Sequence, residues 1–190
     1  DDDGTATGSG GDDESDTHWL SVSAGGAHTC GVDSVGTVQC WGYDDDGQAS
    51  PPDGTFESVS AGYYHTCGVD SSGSVQCWGS DDYGRASLPD GTFQSVSAGH
   101  YHTCGLDSSG SVQCWGYDGD GRSSPPDGTF QSVSAGQNHT CGIDSSGGVQ
   151  CWGLDDDGQA SPPDGTFESV SAGRDHTCGV DSAGSVQCWG

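Results

Sequence analysis

Residues 56–79 read F-E-S-V-S-A-G-Y-Y-H-T-C-G-V-D-S-S-G-S-V-Q-C-W-G, and close copies of this stretch follow one another along the chain. The copies recur every 37 residues, without insertion or deletion, between residues 19 and 190. Between them lie an acidic Gly turn and a segment close to S-P-P-D-G-T. A fixed period of this size is the signature of propellers and solenoids. We therefore expect five copies of one structural unit.

Apolar and polar residues alternate within the unit, which indicates strands rather than helices. We expect strands near residues 56–61, 64–70 and 74–78, with residues 70–73 forming a hairpin turn. Proline lacks a backbone donor, so the segment around Pro51 is expected to cross to the next unit. Three short antiparallel strands per unit predict an all-β fold of propeller-like blades, arranged as a ring, an open arc or a helical ramp.

The overall composition conflicts with a packed core. The chain of 190 residues carries a net charge of -26, and only 29% of its residues are hydrophobic. This combination is typical of disordered chains. However, the sequence also contains 10 Cys and 6 Trp, which a solvated acidic linker does not need. Something other than aliphatic bulk must hold the fold together.

The cysteines form two series with the same period, which predicts their partners. If the hairpin is centred on Ser72, Val69 faces Val75 and Cys67 faces Cys77, close enough for a disulfide. Each such bond would stabilise the fold by roughly 2–3 kcal/mol in the chain-entropy model. The expected bonds are Cys30–Cys40, Cys67–Cys77, Cys104–Cys114, Cys141–Cys151 and Cys178–Cys188. Two alternatives remain: pairing between neighbouring units, such as Cys40 with Cys67, and a zinc site, for which this spacing is atypical.

Charge, hydropathy and cysteine content exclude several classes of protein. The only basic residues, Arg85, Arg122 and Arg174, cannot form a nucleic-acid-binding patch in so acidic a chain. No apolar run is long enough to span a membrane. The even number of cysteines indicates disulfides and an oxidising compartment. Because the sequence contains no Met, we expect a secreted mature product from which a targeting segment has been removed.

The repeat motifs resemble a known family. The strings S-A-G-x-x-H-T-C-G-V-D and G-x-V-Q-C-W-G, followed by D-D-D-G-Q, resemble the bacterial branch of the regulator-of-chromosome-condensation repeat family. They are also similar to the blades of the secreted β-lactamase-inhibitory propeller proteins. The resemblance covers residues 19–190 and implies a protein-binding platform. Relatives form seven-bladed propellers, and eukaryotic members include a nucleotide-exchange factor, whereas this chain has five units.

Residues 1–18 form an acidic Gly/Ser/Thr-rich tail outside the repeats, and residues 19–190 form the five-repeat domain. Residues 6–18 occupy the register of the linker at residues 43–55, so we expect the tail to act as a linker between subunits. The first unit is more apolar than its copies at Trp19, Leu20 and Val35. We expect these three residues to lie at a subunit contact, although they could instead cover local core.

One pair of positions varies between otherwise similar strands, which is typical of a binding surface. These candidate binding residues are Gly26, Ala27, Tyr63, Tyr64, His100, Tyr101, Gln137, Asn138, Arg174 and Asp175. Asn138 also begins the pattern Asn-His-Thr, so it is a candidate glycosylation site.

Two further sets of residues recur with the repeat. The acidic turns, such as residues 44–47 and 155–158, place carboxylates in tight loops, where they favour the turn or, alternatively, bind calcium. One histidine per unit is expected to satisfy backbone groups inside its own blade, with a metal-binding ring of imidazoles as the alternative. These are His28, His65, His102, His139 and His176. Because every potential catalytic residue recurs in equivalent copies, we expect no enzyme activity and no cofactor.

Two functions follow from these observations. The first is an extracellular structural scaffold that self-assembles into a filament or layer, and the internal uniformity of the repeats favours it. The second is a secreted module that binds another protein or a glycan, and the variable pairs favour that function.

Overall fold

The computed structural model describes residues 17–190, so the predictions for the tail fall almost entirely outside the described residues. The described chain forms five three-stranded antiparallel sheets, each built from consecutive strands with the second strand in the middle. We call them blades 1 to 5. The strands are β1 (Trp19–Ala24), β2 (His28–Asp33), β3 (Val38–Gly42), β4 (Ser58–Ala61), β5 (His65–Val69), β6 (Val75–Gly79), β7 (Ser95–Ala98), β8 (His102–Leu106), β9 (Val112–Gly116), β10 (Phe130–Ala135), β11 (His139–Asp144), β12 (Val149–Gly153), β13 (Phe167–Ala172), β14 (Thr177–Asp181) and β15 (Val186–Trp189).

Helical structure is minimal in this part of the chain. A short 3₁₀ turn spans Asp82–Gly84. Residues 17–190 include no helix with the length and apolar character needed to cross a membrane.

The hairpin register agrees with the sequence prediction. Val69 pairs with Val75 and Cys67 pairs with Cys77, and the Cys67–Cys77 Cα atoms are 4.0 Å apart. All ten cysteines form the five expected disulfides within blades, so pairing between units and a cysteine zinc site are excluded. The turn is closed by an aspartate: the Oδ1 atom of Asp70 accepts the N–H groups of Ser72 and Ser74.

The hydrophobic core lies between the blades. Cys30, Val32 and Val38 of blade 1 pack against Phe56 and Trp78 of blade 2. Equivalent clusters join blade 2 to blade 3 and blade 3 to blade 4. Each cluster combines one disulfide sulfur, two aliphatic side chains and two aromatic rings, which explains how a chain poor in aliphatic residues forms a core.

A chain of hydrogen bonds also joins the blades, and it corrects the prediction for the histidines. The Nε2 atom of His65 lies 2.6 Å from Oγ1 of Thr103 in the next blade. Since the Thr103 hydroxyl donates to the backbone oxygen of Arg85, the imidazole must be the donor to Thr103. His28, His102 and His139 make the same contact with Thr66, Thr140 and Thr177. The prediction that each histidine serves its own blade was wrong, because the acceptor lies 38 residues further along the chain.

Glycine allows the blades to approach this closely. A Cβ atom on Gly99 would lie 2.5 Å from the backbone oxygen of Gly136 in the next blade and 3.0 Å from Cε1 of His102. The junction therefore requires glycine at the position before the variable pair.

The two end blades leave the arc open. Phe56 is 3% exposed where it packs on blade 1, whereas its equivalent Trp19 is 46% exposed. Val38 is 7% exposed beneath blade 2, whereas its equivalent Val186 in blade 5 is 69% exposed. Blades 1 and 5 therefore do not cover each other. The all-β fold of three-stranded repeats is confirmed, and among the predicted arrangements the described residues form an open arc.

Candidate interaction surfaces

The variable positions converge on the centre of the arc. The first residue of each variable pair lines a cavity of about 350 Å³, whose wall is completed by the preceding Ala and Gly of each blade. These five residues are Gly26, Tyr63, His100, Gln137 and Arg174. The cavity wall is thus nearly constant in its Ala-Gly part and different in every blade at the variable position.

Aromatic rings from blades 2 and 3 and the turns that follow them form one connected cluster. The ring of His100 lies 4.0 Å from those of Tyr63 and Tyr101, measured between centroids. Tyr63 in turn contacts Tyr64 at 4.5 Å, and Tyr101 contacts Tyr117 at 6.1 Å. We call this cluster, with Tyr83, the tyrosine-rich face: Tyr63, Tyr64, Tyr83, His100, Tyr101 and Tyr117.

Two buried arginines support this face from below. The guanidinium carbon of Arg85 lies 5.3 Å from the ring centroid of Tyr64 and 6.0 Å from that of Tyr83. Arg85 also donates to the backbone oxygen of His100 at 3.2 Å and forms an ion pair with Asp82 at 3.1 Å. Its side chain is therefore fully engaged, and it holds several rings of the face at once.

Arg122 repeats this arrangement one blade later. Its guanidinium carbon lies 4.9 Å from the ring centroid of Tyr117 and 5.8 Å from that of Tyr101. Arg122 pairs with Asp120 and donates to the side-chain oxygen of Asn138 at 2.6 Å. The other blades carry buried Gln48 and Gln159 at this register.

Four members of this assembly were not predicted from the sequence. Tyr83, Tyr117, Arg85 and Arg122 lie in or beside the acidic turns rather than at the variable pairs. One signal in the sequence marks these turns: arginine replaces glutamine at one register only in the second and third turns. Tyr83 also adopts φ 65°, the only described residue other than glycine with positive φ. This left-handed conformation is unusual for a bulky residue, and Tyr83 is 64% exposed.

In this region His100 is neutral, whereas Arg174 is charged. Burial, together with the nearby charges of Arg85, Arg122 and Arg174, lowers the pKa of His100 to about 4. The His100 ring is therefore neutral at physiological pH. Arg174 is exposed and pairs with the neighbouring Asp175 at 3.1 Å.

The acidic turns use their first carboxylate internally. Asp44 accepts the N–H of Ala49 and the hydroxyl of Ser50, both at 2.6 Å. The same two contacts recur at Asp81, Asp118 and Asp155. Within residues 17–190 no group of three or more His, Cys, Asp or Glu side chains is arranged to hold a metal ion. Calcium binding at these turns remains a prediction.

The candidate glycosylation site lies within the folded structure. The side-chain oxygen of Asn138 is bonded to Arg122. Thr140, which completes the pattern, is fully buried and donates to the backbone oxygen of Arg122. Glycosylation at Asn138 remains a prediction.

Blades 1 and 5 present the two halves of a blade junction. We call the face by which a blade packs on the preceding blade its leading face, and the opposite face its trailing face. The leading face of blade 1 exposes Trp19 and Trp41, whose rings are 5.2 Å apart. The trailing face of blade 5 exposes Val186 and His176. The equivalent residues inside the arc, Val38 on one blade and Phe56 and Trp78 on the next, pack against each other. The trailing face of blade 5 and the leading face of blade 1 therefore have the complementary side chains of an internal junction.

The three residues predicted at a subunit contact do not form one patch. Leu20 is the extra residue of a β-bulge between Trp19 and Ser21 and is exposed. Val35 lies in the β2–β3 turn, next to Gly36, whose backbone oxygen accepts the N–H of Phe56. It therefore lies towards blade 2, whereas Trp19 belongs to the leading face.

Similarity to solved structures agrees with the fold. The ectodomain of the Arabidopsis thaliana receptor kinase ACR4, named the CRINKLY WD40 ectodomain, is 34% identical with a TM-score of 0.76, over 92% of this chain and 64% of that one. The ectodomain of the Physcomitrella patens receptor kinase CR4 is 31% identical with a TM-score of 0.77, over 92% and 51%. Human WBSCR16, at 19% identity, a TM-score of 0.80 and coverage of 92% and 62%, shares the fold. The chain thus spans about half to two thirds of the length of these proteins.

None of the curated proteins compared with the chain matches it. The family model of the regulator of chromosome condensation (RCC1) repeat matches residues 19–48, 56–85, 93–122, 130–159 and 167–190. Each match begins at the aromatic residue at or just before the first strand of a blade and, in the first four repeats, ends at the buried Gln or Arg of the acidic turn. The chain therefore belongs to the RCC1 repeat family.

Proposed function

We propose that this protein is an extracellular structural scaffold whose disulfide-stapled blades associate end to end with a second copy of the chain. The observation that carries this proposal is the complementarity of the leading face of blade 1 and the trailing face of blade 5. The five disulfides are typical of an oxidising environment. The acidic surface would keep such a scaffold hydrated.

The internal junctions specify how the second copy would sit. In the arc, Val38 packs with the Phe56 and Trp78 rings of the following blade. A second copy would bring its Trp19 and Trp41 onto Val186 in the same way, and its Thr29 towards His176. This contact is heterologous, so repeated addition gives a filament or a closed ring.

Sedimentation velocity over a range of protein concentrations tests the scaffold. We expect the sedimentation coefficient to rise with concentration, and to rise more at high salt, because screening weakens repulsion between chains of charge -26. Val186→Asp places a carboxylate in the contact and should keep the protein monomeric. Val35→Asp adds the same charge outside the contact and should leave association intact. Purely monomeric protein at every concentration and salt would overturn the proposal.

A second candidate function is a module that binds another macromolecule, and the tyrosine-rich face favours it. Tyrosine offers a large, rigid contact area at low cost in side-chain entropy, and it is enriched at binding surfaces. Screening the protein on peptide and glycan arrays, beside the variant Tyr83→Ala/Tyr117→Ala, tests this function. Binding that depends on the two tyrosines supports a module, whereas the same signals from both proteins would contradict it. We propose no enzyme activity for either function.

A further inference from the structure

The geometry points to a specific ligand class for the tyrosine-rich face: a segment of another protein rich in arginine and lysine. This inference rests on the second function proposed above, the binding module, and adds the chemistry of its partner. Three features of the face support it: the stacking geometry of its rings, the charge around them, and the way they are held.

The fold itself shows that these tyrosines accept cationic groups. Arg85 contacts the rings of Tyr64 and Tyr83, and Arg122 contacts those of Tyr101 and Tyr117, at guanidinium-to-centroid distances of 4.9 to 6.0 Å. Such cation–π contacts are favourable because the ring face carries partial negative charge. Both arginines are buried beneath the rings, at 2% and 3% exposure. The outward sides of the exposed rings therefore remain open to a second layer of cations.

The surrounding charge favours the same ligand. The two acidic turns beside the face contain four carboxylates and two guanidinium groups. These are Asp81, Asp82, Asp118 and Asp120, and Arg85 and Arg122. At the cavity wall Arg174 is paired with Asp175, so these two charges cancel. The four carboxylates of the turns outnumber their two cations, so the net charge beside the face is negative. The whole chain, at -26, adds a long-range field of the same sign. Such a field accelerates the approach of a cationic partner and repels an acidic one.

The face is also held in place before any ligand arrives. The 3₁₀ turn and the positive φ of Tyr83 hold its ring outward, 5.0 Å from the ring of Tyr117. Tyr101 and Tyr117 are fixed from below by Arg122. A rigid row of aromatic rings loses little conformational freedom on binding. An extended basic segment can lay successive side chains along this row.

Fluorescence anisotropy with a labelled peptide of alternating Arg and Gly tests the inference. We expect saturable binding to the full chain that weakens as salt is raised, and weaker binding of the corresponding Lys peptide, because arginine stacks better on aromatic rings. A peptide of alternating Glu and Gly should not bind. The double variant Tyr83→Ala/Tyr117→Ala keeps the net charge, and we expect it to bind the Arg peptide about tenfold more weakly.

The controls separate stacking from general attraction between opposite charges. Leu88→Ala removes an exposed apolar side chain outside the face, and Asp156→Asn removes one charge from the turn after blade 4. Both should bind the Arg peptide nearly as well as the unchanged protein. Equal affinity of the double variant would overturn the inference, since attraction to a chain of this charge would then explain the binding.

The outcome for glycans distinguishes this inference from the function on which it rests. Tyrosine-dependent binding of a neutral oligosaccharide, with no binding of the Arg peptide, would overturn the inference and leave the binding module standing. Absence of tyrosine-dependent binding to peptides and glycans alike would overturn both. Salt provides an independent check, because peptide binding should weaken with salt while end-to-end association should strengthen.

Discussion

The imidazole of His102 donates a hydrogen bond to the hydroxyl of Thr140 in the next blade, with Nε2 and Oγ1 2.7 Å apart. The Thr140 hydroxyl in turn donates a hydrogen bond to the backbone oxygen of Arg122. Four such contacts, one at each junction, place a neutral donor and an acceptor side by side in the core. This arrangement makes the stability of the arc depend on pH and on a few small residues.

Acidification should weaken the junctions through their buried histidines. Burial, together with the nearby Arg122 and His139, lowers the pKa of His102 to about 3, and Asp118 partly opposes this shift. The histidine of the unfolded chain therefore binds a proton near pH 6.5, whereas the folded chain binds it only near pH 3. Its contribution to the free energy of unfolding is fully present above pH 6.5 and is lost as the pH falls towards 3. Each such histidine contributes a slope of about 1.4 kcal/mol per pH unit.

Denaturant unfolding of His102→Gln between pH 7 and pH 5 measures this slope. Glutamine retains a donor but does not titrate, so the variant should lose stability more slowly on acidification than the unchanged protein. His176→Gln is the matched control, since His176 is exposed and has no following blade among the described residues. Equal slopes for His102→Gln and the unchanged protein would contradict a buried neutral imidazole.

Replacing Thr140 by valine should expose the cost of an incomplete junction. Valine has nearly the same shape but leaves the His102 donor without its acceptor and the Arg122 backbone oxygen without its donor. A buried group left unpaired costs about 1–3 kcal/mol, so we expect a loss of at least that size in chemical denaturation. Thr29→Val is the control, because no preceding blade lies within the described residues. A loss at Thr140 no greater than at Thr29 would show that the histidine contact contributes little.

A methyl group on Gly99 should separate two blades. Its Cβ would lie 2.5 Å from the backbone oxygen of Gly136, closer than any relaxed contact. We expect Gly99→Ala to lower the melting temperature substantially, measured by circular dichroism. At the same register in blade 5, the three atoms nearest to a Cβ on Gly173 would all belong to His176 of the same blade. Gly173→Ala should therefore melt close to the unchanged protein, and equal losses in both variants would rule out the blade contact as the cause.

Removing one disulfide should lower the free energy of unfolding by about the amount that closing its short loop contributes. The Cys104–Cys114 bond has a sequence separation of 10, for which the chain-entropy model gives a loss of roughly 2–3 kcal/mol. We expect Cys104→Ala/Cys114→Ala to fold with reduced stability in equilibrium denaturation, because the aliphatic and aromatic side chains of the junction remain. The unchanged protein under reducing conditions provides the comparison, and it should lose more because all five bonds open.

The local part of this fold could be predicted because it depends on neighbours in sequence. The pairing of Cys67 with Cys77 follows from the length of one turn, and the structure has that register. The all-β class follows from the alternation of residues within 24 positions. Turn chemistry and strand alternation act over a few residues, so a single sequence contains the information they need.

The contacts between blades could not be predicted in this way. The partner of His65 is Thr103, 38 residues away, and nothing within one repeat distinguishes a bond to its own blade from a bond to the next. The tyrosine-rich face was found only in part for a similar reason. Tyr83 and Tyr101 lie at different registers of the repeat, and only the stacking of blade on blade brings their rings within 6.3 Å.

The confinement of every disulfide to a single blade has a mechanical consequence. No covalent bond other than the main chain joins one blade to the next, so a force applied to the two ends would remove blades one at a time from the open faces. Each disulfide keeps a loop of 10 residues out of the extended chain. Each oxidised repeat should therefore reach at most about 95 Å when fully extended, and each reduced repeat about 130 Å, at roughly 3.6 Å per residue. Under force, the blades would unfold one at a time, and the redox state of the disulfides would set the length released by each blade.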